Sequence, residues 1–381
     1  MNSSSSNVFF QTRYNLSGSN YILLQWVGCG GFGDVLKCLK KDTQEIVAVK
    51  IQEAGRYFEN EYNMLKFLMT NNLDEKNIIK FIEMCSLKDN MKALVFEMLD
   101  QTLDDHIRTS TRLDLASIRS IINQMAIALD ALKTNEVIHS DIKSDNIMLV
   151  NREEQPLKVK LIDFGLAIPT SLAKQGSDVQ TSKYMAPEII LGLPFSEAID
   201  MWSLGVLMGQ MLTGYYLFPS DLKYECLQYM VELLGALPDN IDDGMFTRKY
   251  CIKTLSGRWI LKAPEDCDGV GVCGRMDSWP YCFRNLDQLE KLTHLANEDN
   301  DEKKACIDLL KAMLQMDPSK RITPSQVLAH PFITRGNFQQ SSNPSSSRSG
   351  LNEQTPQTPL LIHVKPAPPE RCLKLEEDSE E

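Results

Sequence analysis

The chain has 381 residues, with 40 Lys and Arg against 51 Asp and Glu and a formal net charge of −11. That length suits roughly two to three domain-sized units, and the acidic balance argues against nonspecific nucleic-acid binding by the whole protein. No apolar run approaches the roughly 18 to 20 residues of a bilayer span, the start MNSSSSNVFF lacks a basic-then-apolar leader, and the 10 cysteines contain no C-x-x-C pair. The expectation is an intracellular protein with reduced thiols, with neither a membrane nor direct nucleic acid as partner.

Residues 1–20 are rich in Ser and Asn and are expected to be disordered. Tyr21–Val27 then reads as a strand, followed by G-C-G-G-F-G at Gly28–Gly33 and a second strand at Val35–Leu39. Glycines there let backbone N–H groups approach phosphates without Cβ interference. The same spacing marks dinucleotide folds, but in those the loop opens a helix, whereas here it runs from strand to strand. After a polar turn at Lys41–Gln44, E-I-V-A-V-K-I places Lys50 in a β-branched run, where an ammonium group needs a partner. In Arg56–Met69 the apolar residues Tyr57, Phe58, Tyr62, Met64, Leu65 and Leu68 predict a helix with one packed face, so Glu61, or its neighbour Glu59, is available to Lys50. Two strands follow, I-I-K-F-I-E-M and K-A-L-V-F-E-M-L. Leu115–Lys133 then alternates apolar steps of three and four and predicts a long amphipathic helix.

The stretch Val137–Gly165 carries the chemistry. Its short apolar runs Ile147–Val150 and Val159–Ile162, joined by Asn151–Lys158, predict a hairpin that brings Asp141 and Asp163 to one pocket. Asn146 and Asp163 offer hard oxygen ligands suited to Mg²⁺. Asp141 can accept a hydroxyl proton, and Lys143 can offset charge on a moving phosphoryl group. These are the needs of phosphoryl transfer, in which the protein positions and screens rather than bonds. His139 reads as a core histidine supporting the loop. Further on come A-P-E at Ala186–Glu188, an apolar helix from Ala198 to Leu212, an acidic Cys-containing stretch at about 242–301, and a tail at 336–381 that is rich in Ser, Gln and Pro, then acidic, and expected to be disordered. Cys267, Cys273 and Cys282 leave two readings open, a metal site or a surface insert.

H-x-D-x-K-x-x-N, D-F-G and V-A-V-K at Val47–Lys50 resemble the protein-kinase signature set. Adding F-E-M-L-D-Q-T-L, A-P-E-I-I-L-G-L-P-F-S-E-A-I-D-M-W-S-L-G and K-R-I-T-P-x-x-x-L-x-H-P-F, the chain resembles the homeodomain-interacting protein kinases, relatives of the dual-specificity tyrosine-regulated kinases, over about Tyr21–Phe332. The resemblance implies an α+β bilobal fold, with an antiparallel-sheet lobe at about 21–97 and a mainly helical lobe at about 100–332 carrying the 242–301 insert. It implies ATP and Mg²⁺ as cofactors and Ser/Thr hydroxyls of proteins as acceptors. The phosphates would lie under Val27, Gly28, Cys29, Gly30, Gly31, Phe32, Gly33, Asp34 and Val35. Lys50 with Glu61 would hold the α/β-phosphates, Phe96 would be the gatekeeper, and Glu97 to Leu99 the hinge facing adenine. Asp141 and Lys143 would be catalytic, with Asn146 and Asp163 on the metal. Thr181 would lie beside the catalytic pair, Glu188 would pair with Arg321, and Asp200 would bond the catalytic-loop backbone.

Three positions depart from the pattern. Ser140 stands where most kinases have the Arg that grips a phosphorylated activation loop. Asp178 stands where the relatives autophosphorylate a tyrosine, and is either a fixed-charge substitute or a solvated acid. Met185 stands where Arg commonly precedes A-P-E, which weakens a proline-directed reading. The expected activity is therefore independent of activation-loop tyrosine phosphorylation, and the alternative is a pseudokinase that serves as a scaffold. Partners among transcription regulators and residence in the nucleus follow from family analogy alone.

Overall fold

The computed structural model describes residues 16, 19–30, 33–88, 90–109, 112–238, 241, 243–267 and 283–340. The fold is mixed α+β. Strands β1 (Tyr21–Gly30), β2 (Gly33–Lys40), β3 (Ile46–Glu53), β4 (Phe81–Ser86) and β5 (Met91–Glu97) form one antiparallel sheet in the order β1-β2-β3-β5-β4, with helix α1 (Arg56–Thr70) between β3 and β4. Period-2 alternation in β3 sends Val47, Val49 and Ile51 into a small core with Leu36, Cys38 and Val95. Lys50 therefore leaves by the opposite face, toward α1. That helix buries Phe58, Glu61, Met64, Leu65 and Leu68, a stripe with one acid in it.

A mainly helical region follows, with α2 (Leu103–Thr109), α3 (Leu115–Thr134), α4 (Pro187–Leu191), α5 (Ala198–Thr213), α6 (Lys223–Leu234), α7 (Thr247–Tyr250), α8 (Asn300–Met313), α9 (Pro324–Leu328) and α10 (Pro331–Gln340). Asp114 caps α3 by accepting the Ser117 N–H at 2.8 Å. By length and composition alone α3 is long and apolar enough to cross a bilayer. It lies instead in the core, burying Leu115, Ile118, Ile122, Met125, Leu129 and Leu132. Helix α5 is buried on all sides from Ile199 to Thr213 and is the central post of this region.

Three two-stranded sheets complete the fold: β6 (Val137–Ile138) with β9 (Ile168–Pro169), β7 (Ile147–Asn151) with β8 (Gln155–Leu161), and β10 (Cys251–Lys253) with β11 (Trp259–Leu261). The β7–β8 hairpin is longer than the apolar runs suggested, because the polar pair Asn151 and Gln155 still belongs to the ladder and the turn is only Arg152–Glu154. At the N-terminal end Leu16 is buried, Ser19 donates to the Leu16 carbonyl at 2.7 Å and the Asn20 carbonyl accepts the Lys41 N–H, so part of the stretch expected to be disordered is tied to the sheet. Helix α10 likewise runs into the expected tail. The rest of the first 18 residues, Gly31, Phe32, Cys273, Cys282 and residues 341–381 lie outside the described residues.

Candidate active site

Two groups of polar side chains meet where the sheet faces the helical region. In the first, Lys50 Nζ lies 2.7 Å from Glu61 Oε1 and 3.2 Å from Asp163 Oδ1, while Gln52 donates to the other Glu61 oxygen at 3.1 Å. Glu61 is buried and Glu59 exposed, so the helix face decides between the two candidates in favour of Glu61. Burial works against the Lys50 ammonium, but the two carboxylates outweigh it and hold its pKa above the ordinary lysine value.

The second group centres on Asp141. Its Oδ2 accepts from Lys143 Nζ at 2.7 Å and Asn146 Nδ2 at 3.0 Å; its Oδ1 accepts from Thr181 Oγ1 at 2.7 Å and the Thr181 N–H at 3.2 Å. Lys143 also reaches Thr181 Oγ1 at 3.1 Å. Burial alone would push the Asp141 carboxyl up; the Lys143 charge and these hydrogen bonds outweigh it and hold its pKa below the usual carboxylate range. Such a group stays ionised at neutral pH and can receive a proton.

The loop that carries Asp141 is fixed from below. The Asp200 carboxylate, at the start of α5, accepts the His139 N–H at 2.7 Å and the Ser140 N–H at 2.8 Å. Burial pushes Asp200 up to about 7 even against those bonds, and it pushes the pKa of the enclosed His139 imidazole down. His139 reaches the Ile162 carbonyl at 3.0 Å and meets the Phe164 ring edge-on at 4.9 Å, so it is structural and neutral. Asp163 has φ of +59°, a left-handed conformation that Asp tolerates, and the Gly165 N–H closes on its Oδ1 at 3.3 Å.

The glycine segment is a strand-to-strand turn, with Cys29 opposite Asp34 and Gly30 opposite Gly33 across β1 and β2. Gly33 has φ of +130°, and a Cβ there would meet the Ile51 carbonyl oxygen at 2.3 Å, so no side chain fits. Val27 is exposed and Gly28 and Val35 are half-buried on these strands. At the far end of β5, buried Phe96 packs edge-on against Phe81 at 5.8 Å, Leu99 is buried, and Glu97 turns its carboxylate to Lys160 at 2.5 Å and the Lys80 N–H at 2.7 Å. The Glu97 N–H is also engaged, by the Lys80 carbonyl at 3.1 Å, so neither the side chain nor the N–H of Glu97 is left to serve a hinge.

Away from this cluster, Arg321 grips Glu188 with two nitrogens at 2.6 and 2.9 Å, both side chains fully buried. Asp178 is exposed and pairs with Lys223, the first residue of α6, at 2.6 Å. Ser140 has φ of +63° and donates its hydroxyl to the Leu166 carbonyl at 2.6 Å, a short local tie in place of a long basic side chain. Sequence reasoning missed a buried relay. Ser144 donates to Asp104 at 2.9 Å and contacts the Tyr184 hydroxyl at 3.0 Å, and Tyr184 donates to Gln210 at 2.5 Å. The surrounding sequence T-L-D-D-H-I-R carried no signal that Asp104 is buried. A separate cavity of about 370 Å³ between α6 and α8, bounded by Leu233, Leu286 and Leu314, shares no residue with these groups.

A buried lysine–glutamate pair facing an aspartate, beside a second aspartate flanked by lysine and asparagine, is an arrangement for handling phosphates and a hydroxyl. Residues 21–333 match the protein kinase domain, and the chain belongs to the protein kinase family, with the ATP-binding and transferase character that membership carries. Within that family it is similar to Homeodomain-interacting protein kinase 2 of Mesocricetus auratus, at 38% identity over 83% of this chain and 28% of that protein. It is also similar to Homeodomain-interacting protein kinase 1 of Mus musculus, at 39% over 83% of this chain and 27% of that protein, and to Homeodomain-interacting protein kinase 4 of Rattus norvegicus, at 30% over 92% and 60%. The chain thus spans less than a third of the first two relatives and somewhat more than half of the third.

Proposed function

We propose that the chain is an active protein kinase that moves the γ-phosphoryl group of ATP to Ser or Thr hydroxyls of protein substrates, and does so without tyrosine phosphorylation of its activation segment. The observation that carries this is the convergence of Lys143, Asn146 and Thr181 on the Asp141 carboxylate, alongside the Lys50–Glu61–Asp163 contact. Lys50 holds the α/β-phosphates, and the N–H groups of the Gly28–Gly33 turn cover them. Asp141 orients the acceptor hydroxyl and takes its proton, and Lys143 offsets charge on the transferred group.

The donor set suits Mg²⁺, which keeps few protein ligands and completes its shell with phosphate and water oxygens. Asn146 spends its amide N–H groups on Asp141, leaving its carbonyl oxygen for the ion, and Asp163 turns only Oδ1 to Lys50 and Gly165. When bound, the ion would screen the β- and γ-phosphate oxygens. Asp141 has about four acceptor positions, and all are engaged. An incoming hydroxyl must therefore displace a donor, and the 3.2 Å bond from the Thr181 N–H is the weakest of the set.

Independence from tyrosine phosphorylation rests on Ser140, which clips the catalytic loop to Leu166 directly; of the two readings of Asp178, its exposed pairing with Lys223 favours a solvated acid over a substitute for phosphate. Protein partners among transcription regulators and nuclear residence remain part of the proposal, by analogy with relatives whose names refer to homeodomain proteins.

The test is transfer from labelled ATP·Mg²⁺ to the chain itself and to a generic basic protein, with phosphoamino-acid analysis. Asp141→Ala should lower kcat by roughly 10²–10⁴-fold while leaving Tm and ATP binding in place. Absence of transfer by the wild type despite ATP binding would favour a scaffold instead.

A further inference from the structure

We infer that Gln180 is a positioning residue for phosphoryl transfer: its side-chain amide fixes the backbone on which Thr181 meets Asp141. The inference rests on the kinase reading above and adds a residue to that site.

Gln180 carries two separate costs. Its φ of +71° lies in the left-handed region that a Cβ disfavours, and its polar side chain is buried. Such a conformation persists only where its surroundings fix it. Here the side-chain amide does so through three contacts. Its Oε1 accepts the Ala186 N–H at 2.9 Å, and its Nε2 donates to the Ile199 carbonyl at 3.0 Å and to Ser203 Oγ at 2.8 Å. Ser203 spends its one hydroxyl proton on the Tyr184 carbonyl at 2.8 Å, so towards Gln180 it accepts, and the orientation of the amide is settled. The amide closes the 180–186 segment into a loop and ties it to α5.

The same stretch of α5 holds the other half of the site. Asp200 lies between Ile199 and Ser203 in sequence, and its carboxylate accepts the His139 and Ser140 N–H groups that fix the loop carrying Asp141. The start of α5 therefore sets both partners of one contact, Asp141 through Asp200 and Thr181 through Gln180. The two partners meet at 2.7 Å from Thr181 Oγ1 and at 3.2 Å from the Thr181 N–H. Both supports are buried, so neither is loosened by competition from water.

Thr181 is the next residue in the chain. Its N–H belongs to the peptide plane that follows Gln180, so a rotation at Gln180 turns that donor off the carboxylate and carries the Thr181 hydroxyl with it. A left-handed backbone released from its side-chain bonds relaxes toward negative φ, which is such a rotation. Both Thr181 bonds favour the ionised form of Asp141, so their loss would move the base and raise its proton affinity together.

The test uses the full chain with Gln180→Met, which keeps the length and removes the hydrogen bonds, and Gln180→Gly, which also removes the backbone strain and serves if the first variant does not fold. Neither brings a charge near Asp141. Transfer from ATP·Mg²⁺ to a serine acceptor peptide is followed across pH, and amide hydrogen exchange is followed over 180–186. Both variants should lower kcat by about 10–100-fold, up to the loss that an ångström of misplacement causes, with KM for ATP unchanged. The acid limb of kcat/KM should move to higher pH, and exchange over 180–186 should become faster while that of α5 stays as it is. Added to Thr181→Ala, Gln180→Met should cost less than it does alone, by at least about twofold, the lower bound for residues that share one network. Losses that multiply in the double variant would overturn the inference. So would an acid limb left in place while kcat and Tm fall, since Gln180 would then be structural only, and so would unchanged exchange over 180–186. All three leave the kinase reading intact. No transfer by the wild type would remove that reading instead, and the exchange measurement alone would then decide whether Gln180 holds the Thr181 backbone.

Discussion

Four hydrogen bonds converge on Asp141, and they set the proton affinity of its carboxylate as well as its position. Thr181 supplies two of them, and both favour the ionised form. Removing its hydroxyl in Thr181→Ala should therefore raise the Asp141 pKa. The acid limb of the kcat/KM profile should move to higher pH, because more of the base is protonated at any given acidic pH. An unchanged limb would mean that another group sets it. At this scale the sequence was informative wherever a residue's chemistry is unusual for its place: Lys50 in an apolar strand, Glu61 within a buried helix stripe, Asp141 and Asp163 at the ends of apolar runs. It marked Ser140 only for the Arg it replaces and was silent on Ser144; their hydroxyls act through the Leu166 carbonyl and the Asp104 carboxylate. Neither partner is visible in local spacing.

Among the elements, the β1–β2 turn and the α4 anchor carry the clearest energetic consequences. At Gly33 both the left-handed backbone and the 2.3 Å approach to the Ile51 carbonyl exclude a Cβ. Gly33→Ala should cost about 1–3 kcal/mol of backbone strain, seen as a lower Tm and a raised KM for ATP with little change in phosphoacceptor KM. The Glu188–Arg321 fork ties α4 to the segment before α9 with both partners out of water. Removing one partner strands a buried charge, so Glu188→Ala should lower the unfolding free energy by about 3–5 kcal/mol, whereas replacing both by apolar residues of similar volume should be much milder. A denaturant titration separates the two cases. Element positions were largely legible, because α1, α3 and β3 follow strong 3.6- or 2-residue periods. The β7–β8 ladder exceeded its apolar run because polar Asn151 and Gln155 pair at an exposed end, where hydropathy says nothing about hydrogen bonding. The β10–β11 hairpin went unread for the same kind of reason: its outward isoleucines erase the alternation that identifies a half-buried strand.

For the whole molecule, the segments carrying Ser140 and Asp178 are held within the helical region by contacts of very different strength. The Asp178–Lys223 pair is exposed and should contribute no more than about 0.2–1 kcal/mol. The Ser140 clip is buried and lies within the catalytic loop itself. Asp178→Ala should therefore leave kcat within about twofold, since an exposed pair of that size carries little energy, and exhaustive phosphatase treatment should leave it unchanged. A large loss in either experiment would return control to the activation segment. The Ser140 clip has one more consequence. A catalytic loop fastened by its own hydroxyl leaves a phosphate on the activation segment no bond to make or break at this position.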